Sequence, residues 1–545
     1  MPKKLKLRGK KNGKPFQIEI DLGDVEVVDD PVVVPPPDPI DPPPPTPAPA
    51  GYGLGVNLGP VNYYTPQLIY RDCVKQTGWH GSGQWHPQYA DRGDWTNPDL
   101  TVEVDANGWP VLNESANEAA GTVIYRELQY NGPSGYPYTN DPYTTGDYVV
   151  SWDGPADALQ FGFGPQLGPV EPGSPNLATL TVSSTKRAGI HLKIVRDGVK
   201  DLRILPPTGQ DAADLFNLKF THDLAPFGTL RFMDWQRTND QTATDWADRP
   251  LPTDAVQTSP QGVCHEHIIE LCNLTAKNPW ICVPHLATDD YITSLATLYH
   301  STLSTDLTLY IEYSNETWNG QFDQEQYTRE QGMAEGLDSN EWTARHLWHA
   351  KRSVEVFDIF ESVFGGLGRL NRVMGSQNAT PWTSNIRLGA AIGKCDSLAV
   401  APYLNIDDAT RQTPSDQLTA DALLDAQQEY LDTKLRPWIT AQRVAADAHG
   451  VDLIAYEGGQ HLVTPIPHHQ DDNWTDLIVQ ANRHPRMGEL YTDLLDHWQA
   501  EGGGLFCHFN NTARPGKWGC WGLKEQQYQD PETSPKWEAF VNSAT

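Results

Sequence analysis

Residues 307–316 read LTLYIEYSNE, an apolar run about one strand long, closed by the polar pair Asn315-Glu316. A run that is apolar on both parities suits a strand covered on both faces, as in a parallel sheet. The same form recurs on either side of it: TLRFMDW (229–235), PWICVPH (279–285), LNRVMGSQ (370–377), SLAVAPYL (397–404), VDLIAYEGG (451–459) and GGLFCHFNN (503–511). GVNL at 55–58 supplies the remaining strand. Between these runs lie stretches with apolar residues every three or four positions, at 262–276, 289–303, 339–363, 415–449 and 484–500. In 339–363, Trp342, Leu347, Val354, Phe357 and Phe360 keep that helical spacing.

Apolar strands alternating with helices predict an α/β chain and a (β/α)8 TIM barrel occupying residues 51–72 and 206–545. A doubly wound open sheet fits less well, because no Gly-rich phosphate turn follows any strand. Residues 73–205 break the rhythm. Runs such as LTVEVDANGWPVL, TGDYVVSWDG, ATLTVSS and IHLKIVRDG alternate between Gly, Pro, Asn and Asp turns. They predict an all-β sandwich-like domain inserted after strand one. Residues 31–50 form a proline-rich linker, stiff and extended at ~3 Å per residue. Residues 1–30 turn from basic to acidic, and IEIDLGDVEVV alternates as an edge strand or hairpin does. They are read as a candidate anchor segment for a docking partner, with a disordered tail as the alternative.

The formal net charge is −30. Such a field repels nucleic acid and anionic membranes, so neither is expected as a partner. No apolar window approaches a membrane span, and the basic N-terminus lacks the apolar core of a secretory signal, so a soluble protein is expected. The seven cysteines include no CxxC pair. Buried thiols are the default for them, with Cys507 and Cys520 able to pair across a loop in an oxidising compartment. Cys264-His265-Glu266-His267 lacks the spacing of a helical zinc site and is read as a helix cap or surface turn.

In a (β/α)8 barrel the functional side chains stand at the C-terminal ends of the strands. Those ends carry Asn57, then Arg231, Asp234 and Trp235, then His285, then Asn315-Glu316, then Ser376-Gln377, then Tyr403, then Tyr456-Glu457, then His508, Asn510 and Asn511. Strands four and seven are expected to face each other across the barrel, which makes Glu316 and Glu457 a pair aimed at one shared sugar. Glycoside hydrolysis with retention needs an acid for the leaving oxygen and a carboxylate for the anomeric carbon, about 5–5.5 Å apart. Tyr313 and Trp318 are expected to desolvate Glu316, and Arg231 to favour the ionised form of Glu457. Loop 77–89, TGWHGSGQWHPQY, is read as a further substrate-binding segment through Trp79 and Trp85.

YIEYSNETWN (310–319) resembles the strand-four Asn-Glu of clan A glycoside hydrolases, and LIAYEGG (453–459) resembles their strand-seven nucleophile. The resemblance covers residues 51–72 and about 206–545. It implies Glu316 as acid/base, Glu457 as nucleophile, and Asn315 on the sugar 2-hydroxyl. It further implies Arg231 beside the nucleophile, Tyr403 as the nearby aromatic and His285 as a polar wall residue. Trp235, Trp318 and His461 join the substrate-binding set, with Trp518 and Trp521 standing in for the Trp that strand eight lacks at its end.

These readings lead to a retaining O-glycoside hydrolase for a β-linked poly- or oligosaccharide, endo-acting on a neutral glucan, mannan or xylan. It needs no cofactor and no metal. The alternatives are a non-catalytic carbohydrate-binding or structural protein on the same barrel, and the same enzyme mounted on a phage particle to clear surface polysaccharide.

Overall fold

The computed structural model describes residues 4–11, 14–21, 53–78, 85–91, 101–125, 145–162, 164–183 and 190–543. The chain divides into two compact units, residues 1–41 and 42–545. In the first, strands Lys4–Lys11 and Lys14–Asp21 pair antiparallel with Lys11 opposite Lys14. The expected alternating run beyond residue 21 lies outside the described residues, as does the proline-rich linker.

In the second unit eight parallel strands close into a barrel. Numbered one to eight in chain order, they are Leu54–Asn57, Thr229–Arg231, Asn278–Val283, Leu309–Tyr313, Leu370–Gly375, Ser397–Val400, Asp452–Ala455 and Phe506–His508. Strand eight returns to strand one, with Phe506 opposite Leu54 and His508 opposite Val56. Strands four and seven, expected to face each other, are not diametrically opposite: they are three places apart around this ring, with five and six between them. The barrel predicted from the sequence is therefore present, with every expected strand in it.

The strands are short, three to six residues, and each is apolar on both faces because each face is covered. Outward residues such as Val56, Leu230, Ile281, Ile311 and Leu398 pack against the helices in one large core. Inward residues Trp280, Val373, Ala399, Ile454 and Cys507 fill the lumen as a second cluster, with Tyr310 against them. Gly55 is needed there: a Cβ on it would stand 2.4 Å from Cys507 Sγ. The lumen is thus a packed plug, and only its upper rim is free for chemistry.

The helices lie close to the expected stretches, with their ends set by caps. Asn340 accepts from Trp342 N and Thr343 N to start Glu341–Phe364, and Gly365 ends it at φ 72°. Its inner face buries Trp348, Phe357 and Phe360, whereas Trp342, expected on that face, is exposed beside Arg345. The stretch 415–449 is interrupted: helices Ala420–Tyr430 and Arg436–His449 meet at a π turn, Leu431–Leu435. Helices Asp323–Ala334, Pro381–Ala391 and Asp472–Arg483 were not distinguished in the sequence pattern.

Between strands one and two the chain forms two four-stranded antiparallel sheets. Alternate residues of both sheets, among them Tyr148, Val150 and Trp152 of one and Ile190, Leu192 and Ile194 of the other, meet in one shared core. Trp85 belongs to that core, its Nε1 donating to Gly108 O at 2.8 Å, so it is not the substrate contact expected of loop 77–89. Trp79 lies outside the described residues.

Candidate active site

Arg231 ends strand two with its side chain pointing inward and fully buried. Its guanidinium organises the rim. Nη1 donates to Glu457 Oε1 at 2.9 Å and to Asn57 Oδ1 at 3.0 Å. Nη2 donates to Asn315 Oδ1 and to Glu312 Oε2, both at 2.9 Å, and Nε donates again to Glu312 Oε2 at 3.2 Å. The cation also lies over the rings of Trp280 and Tyr456, 5.5 and 5.0 Å from their centroids. One residue therefore ties together strands one, two, four and seven. Asn57 locks the seam, donating to Tyr456 O at 2.8 Å and His508 O at 3.3 Å.

Glu457, directly after strand seven, is 6% exposed. Its second oxygen accepts from Tyr403 Oη at 2.8 Å. Burial pushes its carboxyl up to about 8; Arg231 and Tyr403 oppose that rise, while Glu316 and Asp234 add to it. The charge count gives the same direction. Arg231 is one cation shared by two buried carboxylates, Glu312 and Glu457, so the ionised cluster carries an uncompensated negative charge.

Glu316 sits on a tight turn after strand four. Ser314 and Glu316 both adopt the left-handed backbone region, at φ 59° and 39°. Non-glycine residues reach it at a cost, which marks a side chain that the surrounding structure aims. The carboxylate accepts from Tyr456 Oη at 2.6 Å and from Asn319 Nδ2 at 2.9 Å. The tyrosine next to one carboxylate in sequence thus binds the other, which couples the two ends of the site. Asn315 is held just as firmly: its Nδ2 donates to Asn239 Oδ1 at 3.0 Å, and its carbonyl accepts from Gln324 Nε2 at 2.9 Å.

Of the residues singled out in the sequence, Glu316, Trp318, Tyr403 and His461 line one groove, in which Tyr456 also takes part. Arg231, Asn315 and Glu457 stand behind it through the hydrogen bonds above. Trp521 closes one side, edge-on to Tyr403 and to His461, whose ring centroids are 6.0 and 4.7 Å away. Burial pushes the His461 imidazole down to about 4, so the ring is neutral.

Three expected site residues fall elsewhere. Trp235 is fully buried outside the barrel wall between Phe220 and Phe232, and its Nε1 donates to Gly59 O at 3.1 Å, so no ligand reaches it. His285 ends strand three against Tyr327, with Nδ1 buried and unpartnered, and touches neither carboxylate. Trp518 is 67% exposed and meets His469. Tyr313, expected beside Glu316, points outward: its hydroxyl donates to His285 O at 2.9 Å.

Glu312 was missed in the sequence. It is 2% exposed in the lumen and accepts from Trp280 Nε1 at 3.0 Å as well as from Arg231. Its signal was parity. In LTLYIEY it shares the inward face with Tyr310, and a carboxylate inside an apolar strand needs a buried cation. Cys264 is the N-cap of helix His265–Thr275, as expected of that segment, but His265 and His267 are not at the surface: both are buried and meet the hydroxyls of Tyr299 and Tyr70. All seven cysteines are free and buried, so Cys507 and Cys520 are unpaired.

No family model matches the sequence, and no curated protein does. Among solved structures, the chain is similar to a GH51 arabinofuranosidase from Xanthomonas axonopodis pv. citri. The identity is 13%, the match covers 60% of this chain and 65% of that one, and the TM-score is 0.39. It is also similar to a family 51 alpha-L-arabinofuranosidase from Bifidobacterium longum, at 10% identity, 62% and 68% coverage and a TM-score of 0.41. A Cellulomonas fimi endo-beta-1,4-mannanase gives 12% identity, 53% and 60% coverage and a TM-score of 0.30. The chain thus spans somewhat under two thirds of the first and third of these proteins. Among the described residues no helix is long and apolar enough to cross a membrane.

Proposed function

We propose that this chain is a retaining glycoside hydrolase in which Glu316 is the acid/base and Glu457 the nucleophile. The observation that carries the reading is the unequal treatment of two carboxylates at one rim. Glu457 is held by a guanidinium and a phenol at 2.9 and 2.8 Å, the two contacts that favour its ionised, nucleophilic form against the pull of burial. Glu316 meets a tyrosine hydroxyl and an amide, and among the described residues no cation, which suits a group that gives and takes a proton. In the first step Glu316 protonates the departing oxygen as Glu457 Oε2 attacks the anomeric carbon, forming a glycosyl ester. In the second, Glu316 takes a proton from water, which displaces the sugar from Glu457 with net retention. Asn315, clamped between Arg231 and Asn239, is positioned for the sugar 2-hydroxyl.

The substrate proposed is a β-linked neutral poly- or oligosaccharide such as a glucan, mannan or xylan, cut internally. Reducing-sugar release from a panel of such polymers, with wild type and Glu457→Ala in parallel, tests this. Activity on one polymer that the variant loses supports the reading and names the substrate. Activity that survives in Glu457→Ala refutes the site assignment.

A further inference from the structure

A groove of about 450 Å³ is lined by Glu316, Asn378, Asn405, Tyr430 and Trp438. That volume is within the range of about 300–1,000 Å³ typical of small-molecule sites. Tyr403 also lines the groove, and its hydroxyl donates to Glu457 Oε2 at 2.8 Å. An acid/base group faces the oxygen of the departing residue, so room beyond it is where that residue lies. We propose that this groove is a leaving-group subsite for a neutral sugar residue, with Trp438 and Tyr430 as its stacking platform and Asn378 as a hydroxyl acceptor. The proposal rests on the hydrolase reading of Glu316.

Three observations support it. Tyr430 and Trp438 are both half-buried and pack edge-to-face, centroids 5.9 Å apart, presenting flat apolar surface with polar tips. They stand on either side of the π turn Leu431–Leu435, whose Leu435 also lines the groove. A π turn takes in an extra residue and rotates the helix beyond it, so the irregularity here sets where Trp438 points.

Asn378 is 7% exposed, and its Oδ1 is buried with no partner. A buried acceptor left unpaired is costly, and a ligand hydroxyl donating to it relieves that cost. Finally, Glu316 is the one charged side chain among the described residues lining the groove; the rest are amides, aromatics, apolar groups and neutral His461. No arginine or lysine lines it; Arg411 stands behind Asn405, its guanidinium already donating to the Asn405 side chain and to Ile406 O.

The test compares full-length wild type with Trp438→Ala and Trp438→Phe on paired substrates. One series is the tetrasaccharides of β-linked glucose, mannose and xylose. The other is the corresponding dinitrophenyl glycosides, whose leaving group is not a sugar and departs without protonation. Trp438→Ala is expected to lower kcat/KM on the tetrasaccharide roughly 10- to 100-fold, with at least a tenfold smaller loss on the aryl glycoside. Trp438→Phe is expected to recover part of the tetrasaccharide activity. Equal losses on both series, or no loss on the tetrasaccharide, overturn the proposal.

If wild type is silent on both series, the hydrolase reading fails instead. Calorimetric titration with cellobiose, mannobiose and xylobiose then judges the groove alone. Binding that Trp438→Ala weakens at least tenfold upholds a sugar site there; the absence of binding, or tighter binding of digalacturonate, refutes it.

Discussion

Replacing Tyr403 with phenylalanine removes one hydroxyl from the anion-binding side of the site. The lost contact is the 2.8 Å hydrogen bond to Glu457 Oε2, leaving Arg231 as the remaining donor on that carboxylate. A hydrogen bond to a charged group contributes about 1.5–3 kcal/mol. Since ~1.36 kcal/mol corresponds to one pH unit, the ionisation of Glu457 moves upward by about 1–2 units at most. Burial has already pushed that carboxyl to about 8, so the change is from one raised position to a higher one. The assay is kcat/KM against pH with a dinitrophenyl glycoside, which needs no acid and so isolates the role proposed for Glu457. The acidic limb should shift to higher pH, activity at neutrality should fall roughly 10- to 100-fold, and alkaline pH should restore most of it. The same linkage bears on stability. A carboxyl raised from 4.5 to about 8 keeps its proton in the folded state, so its contribution falls as pH rises through that window, and Tyr403→Phe extends the window upward. An acidic limb that does not move, or a loss of equal size at every pH, would refute this account of Tyr403.

Three other substitutions have defined outcomes. Glu316→Ala is expected to cost about 10²–10⁴ in kcat/KM on a sugar leaving group and far less in kcat/KM on a dinitrophenyl one, which steady-state kinetics on the two substrates will show. Arg231→Ala leaves Glu312 and Glu457 buried without a cation and should destabilise the protein by about 3–5 kcal/mol in denaturant unfolding, with Glu312→Gln in the same chain recovering part of that. Gly55→Ala forces a methyl to within 2.4 Å of Cys507 Sγ and should cost about 1–3 kcal/mol, relieved when Cys507 is made alanine as well.

The barrel was legible in the sequence because its strands are buried on both faces, which leaves apolar runs such as SLAV and LYIEY with polar residues at one end. The same rule exposed Glu316, Glu457, Arg231 and Tyr403, all of which lie at strand ends. It failed where a residue near a strand end turns away from the lumen. Trp235 lies four residues past Arg231, but the chain has by then bent outward and placed the ring in the helix-facing core. Tyr313 fails by parity, one residue after the inward Glu312. The tyrosine that binds Glu316 comes from strand seven, 140 residues away, a pairing no local pattern encodes. Tyr430 and Trp438 were invisible for another reason: the stretch 415–449 reads as one continuous helix, and a π turn leaves no compositional mark.

Strand one and strand eight seal the ring, and Asn57 bonds to His508 across 451 residues of chain. At about 5–20 residues per second, a ribosome takes roughly 20–90 s to make that interval. During it the first strand has no partner on that side, and Arg231 lacks Glu457. The two antiparallel sheets between strands one and two can assemble early in this wait, because their pairings are complete by residue 205. The rim that carries Glu316 and Glu457 is therefore among the last parts of the molecule able to form, and any truncation before Phe506 leaves an open, sticky sheet edge rather than a closed barrel with a weakened rim.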